Sequence, residues 1–222
     1  KLRREQKRLR GRGRYLGIGL STYVEICAMG PGFWEYGKVE VEATGKVNVL
    51  SGASPHGQGQ KTSFAQIVGD QLGVGIDDIA VIHGDTKLVA KGMGTFGSRG
   101  TAVGGIAVYQ AAEKVKEQAR ELAAHIFEVE ADDLVFADGK FSVKGVPRKG
   151  LTIQQIAVQA RAAKNLPAGL ASELTADSTF EPANFTFPFG THICVVEVDP
   201  QTGRVEVKNY IAVDDCGKVV NP

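Results

Sequence analysis

The sequence predicts an α+β fold in which mixed sheets pack against helices. Residues 38–50 and 134–143 each place a turn signal between two β-prone runs, which is typical of a hairpin. Residues 62–72 and 98–127 carry apolar side chains at three- and four-residue spacing, which is typical of an amphipathic helix. The length of 222 residues allows a sizeable core, and the composition is ordinary for a soluble α/β or α+β protein.

The first fourteen residues form a basic lead-in segment. They hold eight of the 26 Lys and Arg residues and one acid, Glu5, so the remainder is acidic although the whole chain has a formal charge of +1. Leu2 and Leu9 in this mixed-charge stretch predict an exposed helix that Gly11 and Gly13 end. A basic arm can bind nucleic acid, but no aromatic stacking residues or second basic patch accompany this one. We therefore interpret it as a solvated helix or as a segment that packs on an acidic partner.

The remaining elements follow from local patterns along the chain. The absence of proline between residues 98 and 127, together with the apolar spacing, predicts one long helix. Thr152 is the expected N-cap of a further helix, which ends near residue 163. Residues 165–188 contain three prolines and little periodicity, so we expect a long surface or interface loop there. The other predicted strands are residues 15–26, 79–83, 190–199 and 204–213.

Two glycine-rich turns that run straight into helices are the candidate ligand sites. In the first, at residues 51–74, Gly57 and Gly59 flank Gln58, so the backbone can bring its N–H groups close to a bound group. The second spans residues 94–105 with the sequence GTFGSRGTAVGG. The first-turn N–H groups of a helix are unpaired and favour anions. Two such junctions therefore suggest a large ligand with several negative charges.

Several common chemistries find no support in the sequence. GMGTFG at residues 92–97 matches the dinucleotide fingerprint formally, but it lacks a strand directly before it and an acid that closes a second strand. No Walker motif is present. Cys27, Cys194 and Cys216 are far apart, which argues for a reducing compartment and against a cysteine zinc site. No apolar run has the length of a membrane span, so we expect a cytoplasmic protein without membrane insertion or bound nucleic acid.

Two further groups near these features have open interpretations. His56 adjoins the first glycine turn, where an imidazole could serve a ligand, although a role in stabilising the turn is equally well supported. Asp214 and Asp215 follow a strand; paired carboxylates can do acid–base work, but such a pair more often caps a turn. No complete catalytic set results, so the chemistry would have to come from a cofactor.

Five motifs carry a family resemblance through their order and spacing. They are SPHGQGQKTSFAQIVGDQLGV, IAVIHGDT, GMGTFGSRGTAVGG, FTFPFGTHICVVEVDPQTG and YIAVDDCGKVVNP. The chain resembles the molybdenum-binding subunit of the xanthine dehydrogenase and aldehyde oxidase family, with the closest similarity to the carbon monoxide dehydrogenase large-subunit branch. The resemblance implies that residues 15–222 are part of the cofactor-binding domain and that residues 1–14 form a basic lead-in to it.

The resemblance also implies a cofactor, namely molybdopterin cytosine dinucleotide with molybdenum. Carried over by position, the residues that would bind it are Gly57, Gln58, Gly59, Gly97, Ser98, Arg99, Gly100 and Thr101. Gln58 would approach the molybdenum ligands and the pterin, while residues 97–101 would supply backbone and hydroxyl donors. No residue of this sequence would bind the metal directly. Thr22 and Tyr23 match a strand that lines the substrate funnel in relatives.

Two parts of the family pattern have no counterpart in these 222 residues: the glycine-flanked catalytic glutamate and the upstream loop with the other pterin contacts. We therefore expect a fragment, or one subunit of a split enzyme, that has no catalytic residue of its own. The resemblance implies a hetero-oligomeric hydroxylase that oxidises an aldehyde, heterocycle or similar small molecule with water-derived oxygen. Electrons would pass to partners that carry 2Fe–2S clusters and FAD. The alternative is a catalytically inactive binding or assembly module that retains the fold.

Overall fold

The computed structural model describes residues 1–146 and 148–222. The chain divides into two compact units. The terminal unit consists of Lys1–Ile26 and Phe187–Val219, and the central unit consists of Cys27–Thr186 with Val220–Pro222. The helices are α1 (Leu2–Arg10), α2 (Gln60–Leu72), α3 (Ile106–Phe127) and α4 (Ile153–Ala162). The strands are β1 (Tyr15–Val24), β2 (Glu35–Val41), β3 (Val47–Ser51), β4 (Ile79–Ile82), β5 (Leu134–Ala137), β6 (Lys140–Val143), β7 (Gly150–Thr152), β8 (Leu174–Phe180), β9 (Phe189–Val198) and β10 (Val205–Asp215).

The terminal unit is a three-stranded antiparallel sheet with one helix. Its strands lie in the order β1-β9-β10, with β9 paired to both neighbours. Leu9 of α1 packs on Leu16 and Val195, and together these residues form a small buried core. Arg14, just before β1, forms an ion pair with Glu197 on β9. The structure confirms the predictions of α1 and of these three strands. Each could be predicted because it has a strong local signal in the sequence.

The central unit is built on a four-stranded sheet in the order β4-β3-β2-β8. Strands β2 and β3 form the predicted hairpin, in which Val39 lies opposite Val49 and Val41 opposite Val47. Strand β4 runs parallel to β3, and α2 connects the two. The four valines are buried in a hydrophobic core that the sheet shares with residues of α2, α3 and α4. The burial of apolar side chains from both layers therefore holds the sheet and helices together.

Helix α3 crosses the sheet at close range. Its buried face consists mainly of small residues, among them Ala107, Ala111 and Ala119. A Cβ atom at Gly37 of β2 would lie 2.6 Å from the backbone nitrogen of Val108. Because only glycine allows this approach, the first turn of α3 rests directly on the backbone of β2.

The start of α3 differs from the prediction of one continuous helix from residue 98. Residues Gly100–Gly105 form a π-helical segment, and the α-helix proper begins at Ile106. The segment contains three glycines, and the backbone at Gly104 lies against Ala53 and Phe64, 3.2 and 3.3 Å from the position of a Cβ atom. Short π-helical turns are rare but are frequently found at functional sites. Here tertiary packing overrides the apolar periodicity that predicted a regular α-helix.

The prediction of a loop at residues 165–188 is wrong over Leu174–Phe180, which form strand β8. The strand pairs with β2 along its full length and buries Leu174. Its sequence, LTADSTF, is largely polar, and Lys114 and Gln118 of α3 donate hydrogen bonds to its backbone carbonyls at 2.8 and 3.0 Å. Gln110 accepts a further bond from Ser178. Contacts with α3 thus hold a strand that has little apolar pattern of its own.

The smaller predicted elements are confirmed, with one addition. Asp138 and Gly139 both have positive φ, 50° and 71°, and form the two-residue turn between β5 and β6. Thr152 caps α4 in a capping box with Gln155. Strand β7, which pairs with β6, is absent from the prediction because three residues carry too little pattern to distinguish a strand from a loop.

Gly73, the C-cap of α2, provides a test of this packing. Its φ is +64°, and a Cβ atom there would overlap the backbone of Gly139 in the β5–β6 turn. We expect Gly73→Ala to lower the free energy of unfolding by about 3 kcal/mol, because it combines a left-handed backbone with a steric clash. Gly75→Ala is the matched control, since Gly75 has open space and no positive φ. Denaturant unfolding of both variants measures the difference, and equal unfolding midpoints would contradict the prediction.

Candidate functional site

The first glycine turn connects the end of β3 to the start of α2. Gly57 and Gly59 have φ of 111° and 83°, and a Cβ atom at either would meet no other atom within 4 Å. Glycine is therefore required here by the backbone conformation and not by lack of space. Gln58 between them is exposed, and its Oε1 accepts a hydrogen bond from the backbone N–H of His56. In the described chain, the backbone N–H groups of residues 57–59 have no acceptor, so all three are available to a ligand.

The second glycine turn has the same character. Gly97 and Ser98 have φ of 55° and 50°, and both are exposed. Ser98 pays a conformational cost for this backbone, because left-handed φ is uncommon outside glycine. The N–H groups of Gly97 and Ser98 find no acceptor among residues 1–146 and 148–222. The turn thus presents two further free donors.

The structure brings the two glycine turns together. Gln60, the first residue of α2, is buried, and its side-chain amide lies against Gly100 so closely that a Cβ atom at Gly100 would overlap it. Gly105 similarly packs near Ile67 of α2, 3.3 Å from the position of a Cβ atom. The predicted residues from Gly57 to Gly59 and from Gly97 to Thr101 therefore flank one helix–helix contact in the central unit.

Arg99 is a predicted site residue whose charged side chain is buried in the protein and does not face solvent. It is buried, with 1% of its surface exposed, and its Nη1 lies 2.7 Å from Oε2 of Glu35, which is fully buried. The backbone N–H of Arg99 makes a long hydrogen bond of 3.4 Å to the carbonyl of Phe96. Sequence reasoning missed Glu35, because no local pattern connects two residues that are 64 positions apart.

The charge near the first turn depends on Lys61, in the first turn of α2, and on His83, which follows β4. Burial lowers the pKa of His83, and the nearby Lys61 ammonium lowers this pKa further. Ser54 Oγ lies 3.4 Å from His83 Nδ1. The exposed Lys61 in the first turn of α2 therefore supplies the local positive charge, while His83 is held towards its neutral form.

Three buried polar atoms that lack partners in the described chain indicate what kind of ligand would fit this region. Gln60 Oε1, Thr95 Oγ1 and Arg99 Nε have no hydrogen-bond partner among the described residues. Free N–H groups suit anionic oxygens, and an unpaired amide oxygen suits an amino or imino group. Buried polar atoms without partners are costly, so their grouping at the two glycine turns fits a ligand that carries phosphates together with a hydrogen-bonding heterocycle.

Thr22 and Tyr23 lie in the terminal unit, on neighbouring positions of β1. Tyr23 belongs to a group that we call the Tyr–His–Asp cluster, formed by Tyr23, His192, Tyr210 and Asp214. Asp214 Oδ1 accepts from Tyr23 Oη at 2.8 Å and from His192 Nε2 at 3.0 Å. Because a carboxylate only accepts, His192 Nε2 is the donor in that bond, and His192 Nδ1 lies 2.9 Å from Tyr210 Oη.

Electrostatics in this cluster follow from the shared carboxylate. The hydrogen bond to Asp214 raises the pKa of Tyr23. The same bond, and then the one from His192, lower the pKa of Asp214. Gly190 makes room for the pair, because a Cβ atom there would overlap Asp214 Oδ1 and lie 2.6 Å from the Tyr23 ring. Sequence reasoning selected Tyr23 but treated His192 and Asp214 separately.

Other features of the described chain add no second candidate. A cleft of about 850 Å³ near the end of α3 is lined by Glu128, Glu130 and Asp133 among others, but by none of the predicted site residues. The three cysteines are free. The described residues contain no group of three or more His, Cys, Asp and Glu side chains that could share a metal ion. None of the helices in residues 1–146 and 148–222 is long and apolar enough to span a membrane.

These observations describe an α+β chain in which two glycine-rich helix starts, with N–H donors that are free among the described residues, lie side by side in the central unit. The chain belongs to the molybdopterin cofactor-binding domain family, whose family model matches residues 1–222. The expected family and fold are thereby confirmed, as the similar solved structures also show.

Three relatives illustrate the similarity. The chain is 39% identical over 216 residues to the carbon monoxide dehydrogenase large chain of Hydrogenophaga pseudoflava, which covers 93% of this chain and 27% of the relative. It is similar to the structure of reconstituted CO dehydrogenase from Oligotropha carboxidovorans, with a TM-score of 0.90 and 35% identity over 100% of this chain and 29% of that one. It is also similar to quinoline 2-oxidoreductase from Pseudomonas putida 86, with a TM-score of 0.88 and 34% identity over 100% and 29%. The chain thus spans little more than a quarter of the length of these relatives.

The Tyr–His–Asp cluster gives a titration prediction. We expect Asp214→Asn to lower the pKa of Tyr23, because removal of the carboxylate charge makes tyrosinate less unfavourable. The difference in ultraviolet tyrosinate absorbance between the parent protein and Tyr23→Phe isolates this residue, and the same pair is then compared in the Asp214→Asn background. Asp177→Asn serves as control for loss of a carboxylate elsewhere. An unchanged or raised Tyr23 pKa in Asp214→Asn would contradict the hydrogen bond.

Proposed function

We propose that the protein is a molybdenum hydroxylase and that this chain supplies part of its cofactor site. The observation that carries the proposal is the contact of Gln60 with Gly100, which brings two donor-rich glycine turns to one place. Family membership and similarity to oxidoreductases of known structure support the same conclusion. The substrate class we propose is an aldehyde, an aromatic heterocycle or a similar small molecule, oxidised with oxygen derived from water.

The residues that would hold the cofactor divide by the groups they offer. The backbone N–H groups of Gly57, Gly59, Gly97 and Ser98 would donate to anionic oxygens, and Thr101 would add a hydroxyl. When bound, the molybdopterin, which we propose to be the cytosine dinucleotide form, supplies the two-electron redox chemistry. Gln58 would orient its exposed amide towards the bound group, because among the described residues its side chain is held by the hydrogen bond from the N–H of His56 alone.

The proposal includes partners for electron transfer. We propose that electrons leave to subunits or segments with 2Fe–2S clusters and FAD, because the described chain has no side-chain group for such a cluster. Further segments of the molybdenum subunit would complete the site, including the acid–base residue that the glycine turns lack. Free cysteines at positions 27, 194 and 216 agree with a reducing compartment, and we propose the cytoplasm.

The first test is the composition of the natively purified complete protein. We expect stoichiometric molybdenum by elemental analysis, and cytidine monophosphate released on mild acid hydrolysis. If both are absent while all partner chains are present, the protein is a binding or assembly module that keeps the fold without the enzyme activity. Molybdenum without cytidine monophosphate would retain the hydroxylase and overturn the dinucleotide assignment.

The second test concerns Gln58. We expect Gln58→Ala to lower turnover of the complete assembly about tenfold or more, because the variant lacks the side-chain amide that would hydrogen-bond a charged group of the cofactor. Gln201→Ala is the control, since Gln201 is an exposed glutamine in the turn between β9 and β10. Steady-state kinetics on the parent and both variants measures the effect. Equal turnover in all three would remove Gln58 from the site.

A further inference from the structure

Glu35 is a buried carboxylate that lies outside the glycine motifs and accepts several hydrogen bonds. It begins β2 and is fully buried. Its Oε1 accepts from the N–H groups of Tyr36 at 2.9 Å and Met93 at 3.3 Å, and its Oε2 accepts from Gly94 N–H at 3.1 Å and Arg99 Nη1 at 2.7 Å. Both carboxylate oxygens are therefore occupied by donors from three separate segments.

Arg99 connects the same segments through its other donors. Its Nη1 also donates to the carbonyl of Gly94 at 2.6 Å, and its Nη2 donates to the carbonyls of Phe33 at 3.2 Å and Trp34. The guanidinium carbon lies 4.9 Å from the centre of the Phe96 ring. The planar fork of arginine suits this set of acceptors, whereas a lysine ammonium could reach only some of them.

The backbone closes tightly around this pair. A Cβ atom at Gly52, just after β3, would overlap Glu35 Oε1, and one at Gly92 would lie 2.8 Å from the same oxygen. Gly52 and Gly92 also contact each other directly. The end of β3 and the loop that leads to the second glycine turn are thus both packed on the Glu35 carboxylate.

The buried pair fixes the position of the neighbouring backbone. Removing two charges from water is costly, so a buried ion pair adds little net stability compared with apolar side chains. What the pair does provide is position, since it fixes both ends of residues 94–99 to the sheet. Gly97 and Ser98, with left-handed backbones and free N–H groups, lie inside this fixed stretch.

We propose that Glu35, acting through Arg99, is a positioning residue for the second half of the cofactor site. The pair holds residues 92–99 so that the N–H groups of Gly97 and Ser98 face the ligand, while neither charged side chain contacts the ligand through its carboxylate or Nη groups. This inference rests on the proposed function, because it assigns the position of the loop to cofactor binding.

The test uses the natively purified complete protein with its partners. Glu35→Gln and Arg99→Lys are each expected to lower bound molybdenum and released cytidine monophosphate per chain about tenfold or more, as loss of outer-shell support does in metal sites. Arg99→Lys is the decisive variant, because it keeps the charge opposite Glu35 but not the fork that binds three carbonyls. Arg161→Lys and Glu173→Gln are controls, since they alter an exposed ion pair of the central unit and should leave cofactor content unchanged.

Amide hydrogen exchange separates positioning from general stability. In Glu35→Gln and Arg99→Lys we expect faster exchange in peptides that cover residues 92–99, and unchanged protection in peptides that cover β2 and β3 beyond Glu35. Full cofactor content in Arg99→Lys would overturn the positioning role, and so would an equal loss of protection across β2, β3 and α2. Absence of molybdenum from the parent protein would instead overturn the proposed function itself, so the two failures are distinct.

Discussion

The contact of Gln60 with Gly100 is the constraint on which the candidate site depends. It joins the first turn of α2 to the start of the π-helical segment, so two loops that are forty residues apart in the chain present their free N–H groups together. A side chain at position 100 would displace the Gln60 amide, and Cβ atoms at Gly104 and Gly105 would lie only 3.2 and 3.3 Å from neighbouring side chains, so the following turn is also closely packed. In the part of the chain that the structure describes, helix packing at Gln60 and Gly100 therefore brings the two loops together.

Backbone conformation gives these loops their chemistry. Gly57, Gly59 and Gly97 adopt left-handed conformations, and Ser98 does so at a conformational cost. Left-handed residues turn successive N–H groups to one side, which is how a backbone makes an anion-binding concavity without charged side chains. This arrangement explains why Arg99, the only cation within the second motif, can be buried against Glu35 and serve the structure of the loop.

The terminal unit uses a different principle. The Tyr–His–Asp cluster is held by side-chain hydrogen bonds on a sheet surface, and the shared Asp214 carboxylate orders Tyr23 and His192 at once. Gly190 is needed so that the carboxylate and the phenol can meet. Its parts come from β1, β9 and β10, so the cluster exists only when all three strands are paired in register.

Much of the fold was determined by the sequence itself, because turn residues, caps and apolar spacing act over a few positions. The hairpin turn at Asp138 and Gly139, the cap at Thr152 and the strands of the terminal unit are of this kind. The two glycine turns were likewise evident from local composition, and their assignment to a molybdopterin domain came from five motifs in order. Only the tertiary structure decided that a polar segment becomes strand β8, that Glu35 forms a buried ion pair with Arg99, and that Gln60 packs on Gly100. These outcomes depend on contacts between residues far apart in the chain, where burial and steric fit overrule local preference.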